Sequence, residues 1–317
     1  MRVNCLRISV TDRCNQRCVY CRPDGDCDFI ERAEILRYEE IQRIVRLFVE
    51  CGIDRVRLTG GEPLIRRDVA SLVAALAGTE GIHEVAMTTN GVLLEPMAAD
   101  LKAAGLNRVN ISLDSLQIQS YRRITGSADL PQVLRGVHKA LEVGLQPVKI
   151  NAVILRHFNA SQILALAALS IDLPVIVRFI EYCPTSRYTK PAGDYVPYAR
   201  IRSIIEKKFG RLFETIIVPG NGPASYFKIS HSAGAVGFIA GRSTFFCPSC
   251  SRIRLTSDGQ IKPCLYSACQ HDLKTLLRAG ASDEQIREVL LRIVAQKAGI
   301  SRLDSFTEDF YMRRIGG

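Results

Sequence analysis

The 317-residue sequence contains no tryptophan, only 10 lysines and no long hydrophobic run. Residues 163–177 form its most apolar stretch, and Asp172 and Pro174 interrupt it, so nothing reaches the roughly 18 residues that cross a bilayer. The first residues carry no apolar signal segment before a cleavage site, which makes a cytoplasmic location the expectation. There is no internal repeat or low-complexity segment, and no basic run is interleaved with aromatics. Neither a membrane nor nucleic acid is therefore an expected partner. An apolar fraction of 47% excludes a disordered chain. Arginine takes the place of the scarce lysine, supplying 32 of the 42 cations behind a net charge of +10. A guanidinium is the bidentate fork for phosphate or carboxylate, so an anionic substrate is one reading; a genome-wide bias towards Arg and Ala is the other.

Runs rich in β-formers at 6–10, 55–59, 84–89, 108–113, 148–154 and 175–181 alternate with segments apolar at helical spacing. In residues 38–52, Ile41, Ile44, Val45, Phe48 and Val49 share one face and Gly52 ends the helix. Six β-then-α units predict an α/β fold with a parallel sheet, open or curled into a partial barrel. Its functional groups belong at the C-terminal strand ends. After Pro184 comes an irregular crossing rich in Pro, Gly and Tyr, then a helix at 198–209 and short strands near 216–218, 226–229 and 235–239. A hairpin turning at Ser257-Asp258-Gly259 and helices near 271–279 and 283–298 complete the chain. Two parts are predicted, 1–195 and 196–317, the second an α+β extension.

Eleven cysteines, an odd number without an export signal, argue against a disulfide framework and for metal or reactive thiols. Cys14, Cys18 and Cys21 form a Cys-x3-Cys-x2-Cys loop directly after the first strand. Three such thiolates can hold three irons of a [4Fe–4S] cluster, or, with Cys27, a zinc ion. Cys247, Cys250 and Cys264 form a second group, and adding Cys269 gives a spacing close to a zinc ribbon. Gly60 and Gly61 end the second strand, where a ligand could approach the backbone closely or a tight turn form. Thr88, Thr89, Asn90, Ser112, Asp114, Asn151, Arg178 and Glu181 are polar where buried parallel strands should be apolar. Arg55 and Arg57 point to one face of their strand and Val56 to the other, and inward-facing cations need an anion.

A Cys-x3-Cys-x2-Cys loop after the first strand of a six-unit β/α chain, with Gly60-Gly61-Glu62-Pro63 ending the second, resembles the radical S-adenosylmethionine (SAM) superfamily. The second triplet, spaced Cys-x2-Cys-x13-Cys, the stretch CPSCSRIRLTSDG and the terminal Gly316-Gly317 make the chain similar to one family in particular. That is the molybdenum cofactor biosynthesis protein A family, the GTP 3′,8-cyclases, over about residues 6–317. The resemblance implies a partial (β/α)6 TIM-like barrel, the radical SAM core, and a C-terminal extension. Cys14, Cys18 and Cys21 then hold one [4Fe–4S] cluster, and Cys247, Cys250 and Cys264 a second. It also implies SAM contacts from Tyr20, Gly61, Thr88, Ser112, Arg178 and Cys183. GTP contacts fall to Arg7, Arg57, Lys149, Arg252, Arg254, Gly316 and Gly317. Cys183 stands where that family usually has Met, and Arg55 where it often has Lys.

The implied reaction is a lyase step with no catalytic side chain: a 5′-deoxyadenosyl radical from SAM removes the 3′ hydrogen of GTP, and the C3′ radical adds to guanine C8. The product is (8S)-3′,8-cyclo-7,8-dihydroguanosine 5′-triphosphate, and the step opens molybdenum cofactor biosynthesis. Implied partners are GTP, an electron donor and a downstream pterin-forming enzyme; a homodimer is left open. Two rival readings are a two-cluster radical SAM enzyme that modifies a peptide and a zinc-stabilised interaction module.

Overall fold

The computed structural model describes residues 3–21, 29–183, 193–216, 222–243, 250–265, 270–299 and 315. Strands β1 (Cys5–Ser9), β2 (Arg55–Thr59), β3 (Glu84–Thr89), β4 (Arg108–Ser112), β5 (Lys149–Ile154) and β6 (Ile176–Glu181) lie parallel and side by side in chain order. An order without reversal belongs to a singly wound barrel rather than a doubly wound sheet. The connecting helices are α1 (Tyr38–Glu50), α2 (Val69–Ala77), α3 (Leu94–Ala103), α4 (Ile118–Thr125), α5 (Leu130–Glu142) and α6 (Ile163–Asp172). In α1, Ile41, Ile44 and Phe48 are fully buried at helical spacing, and Gly52, at φ 92°, takes the left-handed conformation just past the end. These faces and the outward residues of the strands, such as Val56 and Leu58, form one continuous core. The strands alternate: apolar side chains face the helices, and polar ones face inward. That is why the sequence shows cations and hydroxyls inside strands that parallel packing would otherwise make apolar.

Among the described residues the barrel does not close. Of the remaining strands, β7 (Phe213–Glu214), β8 (Ser225–Lys228), β9 (Ala235–Ile239), β10 (Arg252–Leu255), β11 (Gln260–Lys262) and β12 (His271–Asp272), β10 joins the free edge of β1 and β9 that of β6, both in parallel. The others extend the two edges antiparallel, giving a twelve-stranded sheet among the described residues. Helices α7 (Tyr198–Phe209), α8 (Leu273–Arg278) and α9 (Asp283–Gly299) pack outside. The strand expected near 216–218 lies earlier, at 213–214, and Ile216 is 98% exposed. Residues 217 and 218 lie outside the described residues. Strands from both sides of the expected 195/196 boundary share the one sheet.

Candidate active site

The inward faces of the strands line a cavity of about 380 Å³. Side chains alternate along a strand, and residues in register on neighbouring strands share a face, so pairing sets which side chains meet inside. One row runs Arg254, Arg7, Arg57, Ala86 and Arg108 across β10, β1, β2, β3 and β4. Two residues further along each strand come Thr88, Asn110 and Lys149, then Ser112, Asn151 and Arg178. Among the described residues nine cations line the cavity against two carboxylates, Glu84 and Glu181. Burial brings Arg57 down to about 9, helped by the charge of Arg108. Burial takes Lys149 to about 6, with Arg108, Arg178 and Arg57 adding to it. Cations crowded away from water in this way are complementary to a polyanion.

Cys14, Cys18 and Cys21 follow β1 and line the C-terminal end of the cavity. Their loop is clamped on both flanks. Gly61 N donates to Thr11 O at 2.7 Å and Glu62 N to Arg13 O at 2.8 Å; Arg17 N and Val19 N donate to Thr125 O and Ile124 O at the end of α4. A Cβ on Gly61 would stand 2.1 Å from Arg13 O. Sequence reading left a ligand or a tight turn at this glycine pair; the backbone of the cysteine loop packs against it, and both glycines also line the cavity. The Glu62 carboxylate, 1% exposed, accepts from Leu64 N, Thr89 Oγ1 and Asn90 N at 3.0, 2.7 and 2.6 Å, joining the end of β2 to that of β3. Burial pushes Glu62 up to about 7. The Tyr20 hydroxyl donates to Asp114 at 2.6 Å, and Asp114 accepts from Val153 N at 2.8 Å, so the loop is tied to β5 as well.

Burial pushes the Cys18 thiol well above its usual range, and Cys21, Asp114 and Cys14 push it further. Three neighbouring thiols in that position ionise only with a positive group to offset them. Among the described residues no three His, Cys, Asp or Glu converge as the ligands of one ion would. Each iron of a cluster takes its own thiolate, so three separate thiols facing a common space fit a [4Fe–4S] group with its fourth iron open.

Cys250 precedes the parallel strand β10, and Cys264 follows the antiparallel β11, so both line the opposite, N-terminal end of the cavity. Sequence reading gathered all the chemistry at the C-terminal strand ends; docking of β10 beside β1 adds this second pole. Burial pushes the Cys250 thiol up, but Arg252 and Lys297 outweigh it and bring it to about 7. Lys297 Nζ lies 3.6 Å from its sulfur. The segment leading here is pinned by Glu181, whose carboxylate accepts from Arg242 N and Ser243 N at 2.9 and 2.8 Å.

The cavity brings together the candidate SAM, GTP and cluster residues within the described part; Asp114 lies behind its wall, bonded to Tyr20. Tyr20, Gly61, Thr88, Ser112, Arg178 and Cys183 line it along with the first cysteine triplet, and Arg7, Arg57, Lys149, Arg252 and Arg254 line it between the two poles. Cys247, Gly316 and Gly317 lie outside the described residues. Arg108, Glu84, Cys5 and Lys297 also line it but were not singled out in the sequence. Arg108 and Glu84 had a readable signal, each standing an even number of residues from a selected strand residue, Ser112 and Thr88. Lys297 sits on a long amphipathic helix and had none.

The family model described as Radical SAM superfamily matches residues 8–169, and that described as Molybdenum Cofactor Synthesis C matches residues 175–301. A GTP 3′,8-cyclase of Pelotomaculum thermopropionicum is 44% identical, covering 99% of this chain and 98% of its own. One from Gloeobacter violaceus is 46% identical, covering 99% of each. Among solved structures, Streptococcus suis SuiB bound to S-adenosylmethionine superposes with a TM-score of 0.64 at 17% identity, over 92% of this chain and 72% of that one. Methylornithine synthase PylB gives 0.52 at 19% identity, over 67% and 64%. At these identities the structural likenesses show the fold alone: an α/β radical SAM core with a C-terminal extension.

Proposed function

Because the chain belongs to the GTP 3′,8-cyclase family within the radical SAM superfamily, we propose that it binds SAM and GTP in this one cavity and joins C3′ of the ribose to C8 of the guanine, the step that opens molybdenum cofactor synthesis. The carrying observation is that cations fill the space between two cysteine groups at opposite poles. Cys14, Cys18 and Cys21 would hold one [4Fe–4S] cluster, and Cys247, Cys250 and Cys264 a second. When bound, the reduced cluster at the first triplet supplies the electron that cleaves SAM to methionine and the 5′-deoxyadenosyl radical needed at the 3′ hydrogen.

The side chains bind, orient and exclude water. Thr88, Ser112 and Arg178 line the wall of the cavity, as do Gly61, Tyr20 and Cys183, and these six would hold SAM beside the first triplet. Arg7, Arg57 and Lys149 offer charge and donors to the triphosphate, and Arg252 and Arg254 flank the second pole, where the guanine would lie. Gly316 and Gly317 are assigned to the same site. The reaction also requires an external electron donor and a downstream enzyme that consumes the product.

Anaerobic reconstitution with iron and sulfide, followed by incubation with SAM, GTP and dithionite, tests the reading. The expected result is about eight irons per chain, GTP-dependent release of 5′-deoxyadenosine and a 3′,8-cyclised nucleotide. Release of 5′-deoxyadenosine that does not depend on GTP, or stoichiometric zinc with little iron, overturns it.

A further inference from the structure

One small residue interrupts the arginine row. Arg57 and Arg108 lie on β2 and β4 in register with the β3 residue between them, and that residue is Ala86. Ala86 is 0% exposed and does not line the cavity, whereas Arg57 and Arg108 on either side of it both do. Arg108 is 3% exposed and is held by Glu84 in a two-point pairing, Nη2 to Oε1 at 2.7 Å and Nε to Oε2 at 3.1 Å. Its remaining nitrogen, Nη1, is buried without a hydrogen-bond partner among the described residues. An unsatisfied buried guanidinium nitrogen costs free energy that a ligand oxygen would recover. Arg108 lowers both Arg57 and Lys149, so the three cations meet around one volume.

We propose that Arg108 is a specificity-determining residue for the far end of the substrate's polyphosphate, with Glu84 as the residue that positions it. This rests on the reading of the substrate as GTP. It goes beyond that reading by assigning the triphosphate-over-diphosphate choice to a side chain that carries no sequence motif. The direction follows from the sheet. If the base is held beside Cys250 and β10, Arg108 lies four strand spacings away, roughly 19 Å along the sheet before curvature. A nucleoside monophosphate stops well short of it. A triphosphate laid along Arg7 and Arg57 ends there.

The test is equilibrium binding of GTP, GDP and GMP to the reconstituted protein, for the wild type, Arg108→Met, Arg108→Lys and Glu84→Gln. The wild type should prefer GTP to GDP. Arg108→Met should weaken GTP by roughly 10- to 100-fold, the range for a lost charged hydrogen bond, while GMP changes by less than about threefold. Arg108→Lys keeps the charge but loses the planar two-point fork, so it separates loss of the terminal contact from loss of the charge; it should keep GMP binding and recover only part of the GTP-to-GDP preference. Glu84→Gln should lower that preference without altering GMP binding, which a merely structural role would not do. GTP binding with an unchanged GTP-to-GDP ratio in Arg108→Met overturns this inference alone. No GTP binding by the wild type overturns the substrate reading and this inference with it.

Discussion

Lys149 is 2% exposed, its ammonium 5.5 Å from the centre of the Tyr226 ring, and burial among arginines takes it to about 6. Near pH 7.5 it is mostly neutral in the empty protein. A triphosphate beside it favours the charged form, so the complex binds more protons than the free protein above pH 6. By linkage, affinity for GTP therefore falls as pH rises through this window. Calorimetry at pH 7.5 in two buffers of different ionisation enthalpy should show proton uptake on binding GTP, and Lys149→Met should show less. Equal uptake in the two proteins would remove Lys149 from the phosphate site. Arg57→Ala should weaken GTP by about 1.5–3 kcal/mol with SAM affinity little changed; unaltered GTP affinity would argue against its role. The inward direction of Arg57 was legible in the sequence because alternation with Val56 is a local property. The pairing of Arg108 with Glu84 was not, since it depends on the register between β3 and β4, which no short stretch of chain encodes.

At the scale of elements, the Gly60–Gly61 turn is a packing joint between β2 and the cysteine loop. Gly61→Ala puts a methyl where Arg13 O now lies 2.1 Å away, so the loop must move. The variant should keep roughly four irons instead of about eight and lose SAM cleavage; full iron content with normal cleavage would show that the loop tolerates the shift. Cys14→Ala should likewise abolish cleavage. Cys264→Ala should retain some cleavage while losing cyclised product, and equal loss of cleavage in both would count against separate roles for the two poles. Periodicity located the strands well because short apolar runs between helices leave little choice. The meaning of the glycines was not legible: a close approach at a strand end reads the same whether a ligand or another loop makes it.

The whole molecule hangs on one sheet whose two edges are both covered by strands from the last third of the chain. Ion pairs reinforce this, with Arg278 of α8 on the buried Glu40 of α1 at 2.9 Å and Arg43 of α1 on the exposed Asp283 of α9 at 2.7 Å; an exposed pair such as the second contributes about 0–1 kcal/mol. Residues 1–195 made alone would leave the edges of β1 and β6 unpaired and should self-associate. In the full chain, denaturant unfolding followed by probes attached before and after residue 195 should give coincident transitions; two separated transitions would mean that the parts fold independently. Composition and pattern revealed that the chain changes character after β6. They could not reveal that the later strands return to both sides of the first six, because parallel docking of β9 and β10 leaves no turn signature.

The pairing of β1 with β10 also sets a timetable for biosynthesis. Cys5 waits for Arg252, so about 250 residues must be added before the first strand finds its second neighbour, roughly 12–50 s at 5–20 residues per second. Throughout that interval the nascent chain presents an unpaired edge and a cluster loop that lacks its far pole. Protection of that edge is therefore needed for as long as β10 is still to be made, and a chaperone that shields it would have to leave before the second neighbour can dock.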